Sequence, residues 1–211
     1  LRMGNTNLKP EETSQYNVGV TWSSSCGDWL RHFSISADGY YNTVKDKIVA
    51  LPTMYVWKMM NMGEVDIKGV DVNLSTQFRL PLRMSLLLAS TYSFQYAVDV
   101  TDPEAKNYKD QIPYTPRHSG TVSVTVENPW VNVSYILTAV GDRYALPQNI
   151  DRNRIDSYIE QSISINRDFR FRYFGLRLQG ELLNLANVNY DVIQYYPMPG
   201  RSWRLSICLS Y

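Results

Sequence analysis

Apolar and polar residues alternate along almost the whole chain. Nine segments show this period of two, which is the spacing of side chains on one face of a β-strand. The nine apolar rows run through Tyr16–Trp22, Phe33–Tyr41, Val70–Phe78, Met84–Phe94, Gly120–Val126, Val131–Ala139, Ile159–Ile165, Phe174–Leu182 and Trp203–Tyr211. None of the rows contains Asp, Glu, Lys or Arg, although 19% of the chain is charged. The pattern predicts an all-β, antiparallel structure in which one face of every strand avoids charge.

A charge-free strand face is compatible with two architectures. In a soluble β-sandwich it faces the interior, and in a transmembrane β-barrel it faces lipid. The connections favour the barrel, because short turns and long loops alternate along the chain. Outer-membrane barrels have short periplasmic turns and longer extracellular loops, whereas a sandwich has no reason to separate them in this way.

Aromatic residues lie near both ends of the predicted strands. Those beside the short turns are Trp22, Phe33, Phe78, Trp130, Phe174 and Tyr211. Those toward the long loops are Tyr16, Tyr41, Tyr92, Phe94 and Tyr158. Because aromatic side chains with a polar edge prefer the boundary between bilayer and water, this distribution predicts the two aromatic girdles of a membrane barrel.

Composition excludes several other classes of protein. The chain has 211 residues with 21 Lys+Arg and 20 Asp+Glu, and without a basic run it has no electrostatic footprint for nucleic acid. No apolar run reaches the ~20 residues of a membrane helix. Cys26 and Cys208 lie far apart and there are only two His, so no disulfide framework, metal site or cofactor is expected. No catalytic constellation is evident, and we predict that the chain is not an enzyme.

An odd number of strands does not complete a barrel of the usual kind. Single-chain bacterial barrels have an even number, and an open edge in lipid leaves backbone groups unpaired. We therefore expect residues 1–211 to be the C-terminal part of a larger barrel, interrupted in a loop just before Gly4. The remaining strands would come from the same parent protein or from a separate fragment.

Five segments carry a resemblance to a known family. They are Gly4–Glu11, Ser36–Ile48, Met62–Val72, Ile112–Gly120 and Glu181–Tyr211. In this order they resemble the C-terminal half of the β-barrel of TonB-dependent outer-membrane receptors. The ending PMPGRSW is most similar to the subgroup that imports metal chelates (cobalamin, ferric siderophores or haem), especially in Bacteroides-like bacteria.

The resemblance implies a 22-stranded barrel in the cell outer membrane with a plugged lumen, of which this chain supplies nine strands. It implies import of a bulky, scarce metal chelate by TonB-driven displacement of the plug. The implied partners are outer-membrane lipid, the plug and remaining strands, the TonB complex acting through the plug, the barrel-assembly machinery and the chelate, with a surface lipoprotein as a further candidate. The alternatives are an oligosaccharide or peptide importer of the same architecture, a passive porin, and a soluble β-sandwich binding module.

Candidate ligand-binding residues lie in the long loops, where Tyr, Trp and Met offer apolar contact and Tyr and Trp add a hydrogen-bonding edge. They are Tyr55, Trp57, Met59, Tyr108, Arg143, Tyr144, Tyr195 and Tyr196. No metal ligand is assigned.

Two further groups of residues follow from the strand pattern. The inward-facing charges, which are candidates for contact with the plug or for pairing among themselves, are Asp38, Asp71, Glu160, Arg177, Glu181 and Arg204. In the second case, Arg177, Glu181 and Arg204 are expected to neutralise one another, and a mixture of the two roles is favoured. The terminal row resembles the signal read by the barrel-assembly machinery, and strand addition at a sheet edge gives that contact a physical basis. It consists of Trp203, Leu205, Ile207, Leu209 and Tyr211.

Overall fold

Nine long strands form one antiparallel sheet in the computed structural model, which describes residues 2–3, 5–52, 56–61 and 63–211. The strands are β1 (Glu12–Cys26), β2 (Leu30–Lys45), β3 (Glu64–Leu80), β4 (Met84–Asp99), β5 (His118–Glu127), β6 (Asn132–Val140), β7 (Tyr158–Arg170), β8 (Gly175–Leu183) and β9 (Ser202–Ser210). Their order in the sheet is their order in the chain, so each strand pairs with the strands before and after it. The predicted all-β antiparallel sheet is confirmed.

The connections alternate in length, as predicted. Short turns span residues 27–29, 81–83, 128–131 and 171–174, and long loops span 46–63, 100–117, 141–157 and 184–201. The long loops contain structure of their own. Three hairpins pair Ile48–Pro52 with Trp57–Asn61, Arg143–Tyr144 with Arg154–Ile155, and Asp191–Ile193 with Tyr196–Pro197. A 3₁₀ helix covers Asp151–Asn153, and Arg2–Met3 pairs in parallel with the strand that starts at Trp57.

The strand register places all nine predicted apolar rows on the same side of the sheet. For example, Tyr92, Gly120, Ala139 and Ile159 lie directly opposite one another across β4 to β7. Residues that lie opposite each other share a face, so the rows merge into one continuous surface, called here the apolar face. The intervening residues form the opposite, polar face. A shift of one residue in any strand would exchange the two.

The apolar face is not packed against a second layer of structure. Its side chains are exposed or half-buried apart from Thr76, with Val20 at 68% and Leu205 at 63% exposure. Among the described residues, the buried hydrophobic ones gather at the long-loop end of the sheet. They are Val44, Val65, Ala97, Val98, Ile112, Ala145 and Ile155. The rows of the apolar face therefore have no sealed interior, which is inconsistent with a β-sandwich and consistent with contact with lipid.

Aromatic rings cluster at the short-turn end of the sheet. Trp22 and Phe33 meet edge to face with ring centroids 5.3 Å apart, and Trp29 stacks on Phe78 at 5.7 Å. These pairs lie where the predicted girdle meets water. In the part of the chain that the structure describes, no helix is long and apolar enough to cross a membrane.

Candidate ligand-binding site at the long loops

A small hydrophobic cluster holds the second long loop against the polar face. Val65 and Ala97 are fully buried there, and Ile112 from the loop packs on them. The Ile112 N–H also donates a hydrogen bond of 3.0 Å to the Ala97 carbonyl. Because burial of an aliphatic side chain contributes roughly 1.5–3 kcal/mol, this contact fixes the loop over the polar face instead of leaving it in solvent.

Next to this cluster is a cavity of about 510 Å³ at the long-loop end. Its lining includes Lys47, Trp57, Ile112, Tyr114, Val140, Arg143, Tyr158 and Val192. All four long loops and the ends of two strands thus contribute to one concave surface. Its volume falls in the range of about 300–1,000 Å³ that is typical of small-molecule sites, and its lining combines aromatic rings with two cationic side chains.

Arg143 is the most constrained residue of the cavity, with an exposure of 4%. Its Nη2 donates hydrogen bonds to the carbonyls of Asp191 and Val192 in the last long loop. Its guanidinium lies 5.4 Å from the centroid of the Tyr158 ring, a cation–π distance. Nη1 is buried and has no hydrogen-bond partner among the described residues.

Burial lowers the pKa of Arg143, while Tyr158, Tyr114 and nearby carboxylates oppose that shift. An arginine nevertheless stays protonated in proteins. The site therefore carries a fixed positive charge that is largely withdrawn from water and that ties the third long loop to the fourth.

Main-chain contacts brace the three C-terminal loops against one another. The Tyr114 N–H donates to the Tyr144 carbonyl at 2.8 Å, and the Gln194 side-chain amide donates to the Arg152 carbonyl at 2.9 Å. The Tyr114 hydroxyl makes no hydrogen bond of normal geometry, although the main chain of Gln194 lies near it. Residues from three loops therefore form one cross-linked rim around the cavity.

Of the seven candidate ligand residues that the structure describes, Trp57 and Arg143 line this cavity. Trp57 lies beside Tyr114 with ring centroids 6.4 Å apart. Tyr55 lies outside the described residues. Met59 is half-buried in the strand Trp57–Asn61 and contributes its carbonyl to a hydrogen bond with Asn5.

The other candidates are dispersed over the loops. Tyr108 lines a separate cavity of about 270 Å³, with the Lys109 amine 5.3 Å from its ring centroid. Tyr144 contributes the main-chain carbonyl described above. Tyr195 and Tyr196 lie at the tip of the last hairpin, where they are 77% and 61% exposed. The ligand-binding role of all eight residues stays a prediction.

Sequence reasoning did not select Tyr114 and Tyr158 for the cavity. Tyr158 was assigned to the girdle by its position at a strand end, yet its ring contacts the Arg143 guanidinium and stacks on Tyr190 with centroids 4.2 Å apart. Tyr114 lies between Pro113 and Pro116. Because proline fixes the backbone angle φ, these two residues were the signal in the sequence that the backbone at Tyr114 is rigid.

The polar face carries one ion pair near a short turn and another near the last long loop. Arg177 binds Asp168, opposite it on β7, through hydrogen bonds of 2.6 and 3.0 Å. Arg204 binds Glu181, opposite it on β8. The expected neutralisation among Arg177, Glu181 and Arg204 is therefore wrong in part, because the register gives Arg177 a carboxylate of its own.

The remaining charges on the polar face have different surroundings. Asp38 lies directly opposite Asp71, and Asp71 accepts a hydrogen bond from the Ser93 hydroxyl. Glu160 accepts a hydrogen bond of 2.9 Å from the Asn184 N–H, at the start of the last long loop. Glu160 is thus engaged in holding a loop end, whereas contact of any of these residues with a plug stays a prediction.

The terminal strand β9 is one free edge of the sheet. Its row consists of Trp203, Leu205, Ile207, Leu209 and, just beyond the strand, Tyr211, and each of these side chains is more than half exposed. The geometry leaves this row accessible to lipid. Recognition by the assembly machinery stays a prediction.

Cys26 and Cys208 are free and exposed. Within the described ranges, no group of three or more His, Cys, Asp and Glu side chains is arranged to hold a metal ion. The chemistry available at the cavity is accordingly that of aromatic contact, hydrogen bonding and positive charge.

Alkaline pH should loosen the loops at this site. Burial raises the pKa of Tyr190, aided by the nearby Glu160 and Tyr158, and burial also raises the pKa of Tyr114. A raised pKa means that the folded loops favour the neutral phenol, so this stabilisation is complete below pH 10 and is lost as the pH rises through the raised pKa. The protection factors of the amides in residues 184–201, which correct for base-catalysed exchange, should therefore fall above pH 10, and Tyr190→Phe should weaken that dependence. Tyr195→Phe at the exposed hairpin tip is the matched control, and an equal effect of both variants would contradict the prediction.

A single meander of nine strands, with an open apolar face, a polar face and a cavity among long loops at one end, defines the wall of an outer-membrane β-barrel. The chain belongs to the family described as TonB dependent receptor-like, beta-barrel, whose model matches residues 1–185. The resemblance noted in the sequence is thereby confirmed, as are the outer-membrane location and the prediction that the chain is not an enzyme, because this is a family of receptors. The 22-strand count and the Bacteroides-like subgroup stay predictions.

Several solved structures share the fold of this chain. They include the ferric preacinetobactin receptor BauA from Acinetobacter baumannii, with a TM-score of 0.69 and 13% identity over 95% of this chain. The unliganded ferric citrate transporter FecA gives a TM-score of 0.74 at 13% identity over 95% of this chain. The siderophore receptor PiuA from Acinetobacter baumannii gives 0.70 at 17% identity over 98%. This chain spans only 30%, 31% and 30% of those structures, respectively. No curated protein sequence matches the chain significantly.

Proposed function

We propose that this chain is the C-terminal barrel wall of an active importer for a bulky metal chelate, such as a ferric siderophore, cobalamin or haem. The observation that carries the proposal is the cavity among the long loops, which unites Trp57, Tyr114 and Arg143. Aromatic rings suit the flat organic part of a chelate, and the buried positive charge suits an anionic one.

In the proposed import mechanism, the loops bind the chelate, a plug in the lumen blocks passage, and the TonB complex displaces the plug. Several features of the chain fit these steps. The inward charges Asp38, Asp71, Arg177 and Arg204 line the side that the plug would contact. Exposed ion pairs contribute roughly 0–1 kcal/mol each, so a pull that breaks them one after another can release a plug held by many of them.

Uptake by cells tests the proposal directly. Cells that depend on the intact receptor should accumulate radiolabelled iron or cobalt from at least one of ferric citrate, a ferric catecholate, haem and cobalamin. Accumulation should stop when TonB is deleted, because transport requires energy from the inner membrane. Tyr114→Ala should reduce uptake about tenfold through loss of one aromatic contact, whereas Tyr173→Ala, at an exposed position in a short turn away from the cavity, serves as the matched control.

Each alternative function has its own outcome in this experiment. If the cells take up a labelled oligosaccharide or peptide but none of the four chelates, the transported ligand is not a metal chelate. Uptake that persists without TonB, together with steady ion conductance in planar bilayers, would identify a passive pore. Either result would contradict the proposal.

A further inference from the structure

A second large concavity is lined mainly by residues of the apolar face, such as Tyr92, Gly120 and Ile159, so it opens away from the lumen. Its volume is about 700 Å³, and it crosses β4 to β7 near the long-loop end. Gly120 and Ala139 form its floor, between Tyr92 on one side and Ile159 on the other. We call this concavity the outer groove. Because the apolar face contacts lipid, the outer groove is open to hydrocarbon and its floor of small residues leaves room for an acyl chain.

Polar groups lie at the end of the outer groove that is nearest the loops. The Tyr92 hydroxyl and His118 Nδ1 are 2.8 Å apart in a hydrogen bond, and the His118 ring also contacts Phe94 with centroids 5.2 Å apart. Below this pair, the lining consists mainly of small and aliphatic residues. The outer groove is therefore amphipathic along its length, with a polar top and an apolar body.

Two cations share one aromatic ring close to this polar top. The Lys68 amine and the Arg117 guanidinium each lie 5.2 Å from the centroid of the Tyr96 ring, so they are no more than about 10 Å from each other. Arg117 directly precedes His118 in the chain. Neither cation has a carboxylate within 4.0 Å among the described residues, although other exposed cations of the chain do. This cluster, Lys68–Tyr96–Arg117, carries two positive charges that no carboxylate of the described residues neutralises.

The cluster lies at the height of the lipid headgroups. From Leu86 near the short turn to Tyr96, the strand rises about 34 Å, which at a tilt of about 45° spans about 24 Å of membrane. That distance matches the apolar band of about 25 Å in outer-membrane barrels. Beyond Tyr96, the next residue of the same row is Val98, which is 3% exposed and pairs with Gln111 of the second long loop. The lipid-facing surface thus ends at Tyr96.

We infer that the outer groove and the cluster Lys68–Tyr96–Arg117 together bind one phosphate-bearing lipid of the outer leaflet. The two cations pair with the phosphate, His118 and Tyr92 lie beside the headgroup, and an acyl chain occupies the groove over Gly120 and Ala139. Arginine binds phosphate through paired N–H donors and lysine as a point charge, so the cluster fits an anionic headgroup better than a neutral one. The site faces away from the cavity of the proposed importer and does not depend on the transported ligand.

Native mass spectrometry of the intact receptor in detergent tests this site. The probes are dioleoyl phosphatidic acid, dioleoylglycerol with the same chains but no phosphate, and inorganic phosphate. Wild-type receptor should form a saturable one-to-one adduct with phosphatidic acid only. The double variant Lys68→Gln/Arg117→Gln should lose about tenfold in adduct, whereas Lys106→Gln/Arg152→Gln, with the same charge change at exposed loop positions, should retain it.

A second variant tests the groove separately from the charges. Ala139→Phe fills the floor and should reduce the phosphatidic acid adduct by a similar factor, while Ala37→Phe adds the same ring to the apolar face outside the groove and should not. Both changes place an apolar side chain in lipid, so the barrel should fold in each. Equal binding of dioleoylglycerol, full displacement by inorganic phosphate, or undiminished binding in either test variant would overturn the proposal. None of these results would bear on the import of a chelate.

Discussion

Replacing Val122 by arginine should destabilise the inserted barrel by about 2–4 kcal/mol, whereas the same change at the adjacent Thr121 should be tolerated. Val122 lies on the apolar face opposite Ser90 and Leu137, midway between the Leu86 and Tyr96 levels of β4. An arginine facing lipid at the midplane of a barrel costs about 2–4 kcal/mol. That cost is a large fraction of the 5–15 kcal/mol by which most proteins are stable.

Thr121 provides a control one residue away. It lies on the polar face between Thr91 and Thr138, where water wets the lumen and a guanidinium keeps its hydration. The measurement is urea-induced unfolding of the intact receptor in lipid vesicles, with heat-modifiable electrophoretic mobility as the sign of a folded barrel. If Thr121→Arg were the more damaging change, the assignment of the two faces would have to be reversed. Val122→Leu should be neutral and confirms that the effect comes from charge.

Removing the Arg143 side chain should open the rim of the cavity. In Arg143→Ala, the carbonyls of Asp191 and Val192 lose their donor and the contact with the Tyr158 ring disappears. A hydrogen bond to a charged group contributes about 1.5–3 kcal/mol, so the last loop should open more readily by about 2 kcal/mol, or roughly 30-fold. Hydrogen exchange of the amides in residues 184–201 measures this directly and needs no ligand.

Two further variants make the Arg143 result specific. Arg152→Ala removes an exposed arginine from the same loop but keeps the main-chain carbonyl that accepts from Gln194, so exchange should stay at the wild-type rate. Arg143→Lys keeps the charge but loses the planar guanidinium that reaches two carbonyls. Its exchange rate should therefore lie between those of Arg143→Ala and Arg152→Ala. Unchanged exchange in Arg143→Ala would show that this residue does not hold the rim.

The two faces of the sheet were predictable from sequence because alternation is a local property. Whether a residue such as Val72 or Asn73 faces lipid or lumen depends only on the parity of its position within the strand, and the register preserves that parity from strand to strand. The pairing partners of charges were harder to predict. Arg177 was expected near Glu181, which is close to it in sequence, but it binds Asp168 across the β7–β8 turn because strand register decides which side chains meet.

The loop residues show where local patterns stop being informative. Aromatic composition identified the long loops as the place for a ligand, yet it favoured exposed residues such as Tyr195 and Tyr196 over Tyr114 and Tyr158. A loop side chain has no period that defines its direction. Its position depends on contacts such as the one between Ile112 and Val65, which join residues distant in the chain.

By itself, the sequence determined the number of strands, the two faces and the alternation of turns and loops, and through them a barrel wall in the outer membrane. These follow from short-range rules, namely a period of two and the preference of aromatic rings for an interface. Other contacts depend on the tertiary structure. Arg143 joins two loops at the cavity that Trp57 and Tyr114 also line, and Lys68 and Arg117 both contact the ring of Tyr96. These contacts join residues that are distant in the chain. They can stabilise the fold only after the sheet has brought those residues together, so no local sequence pattern predicts them.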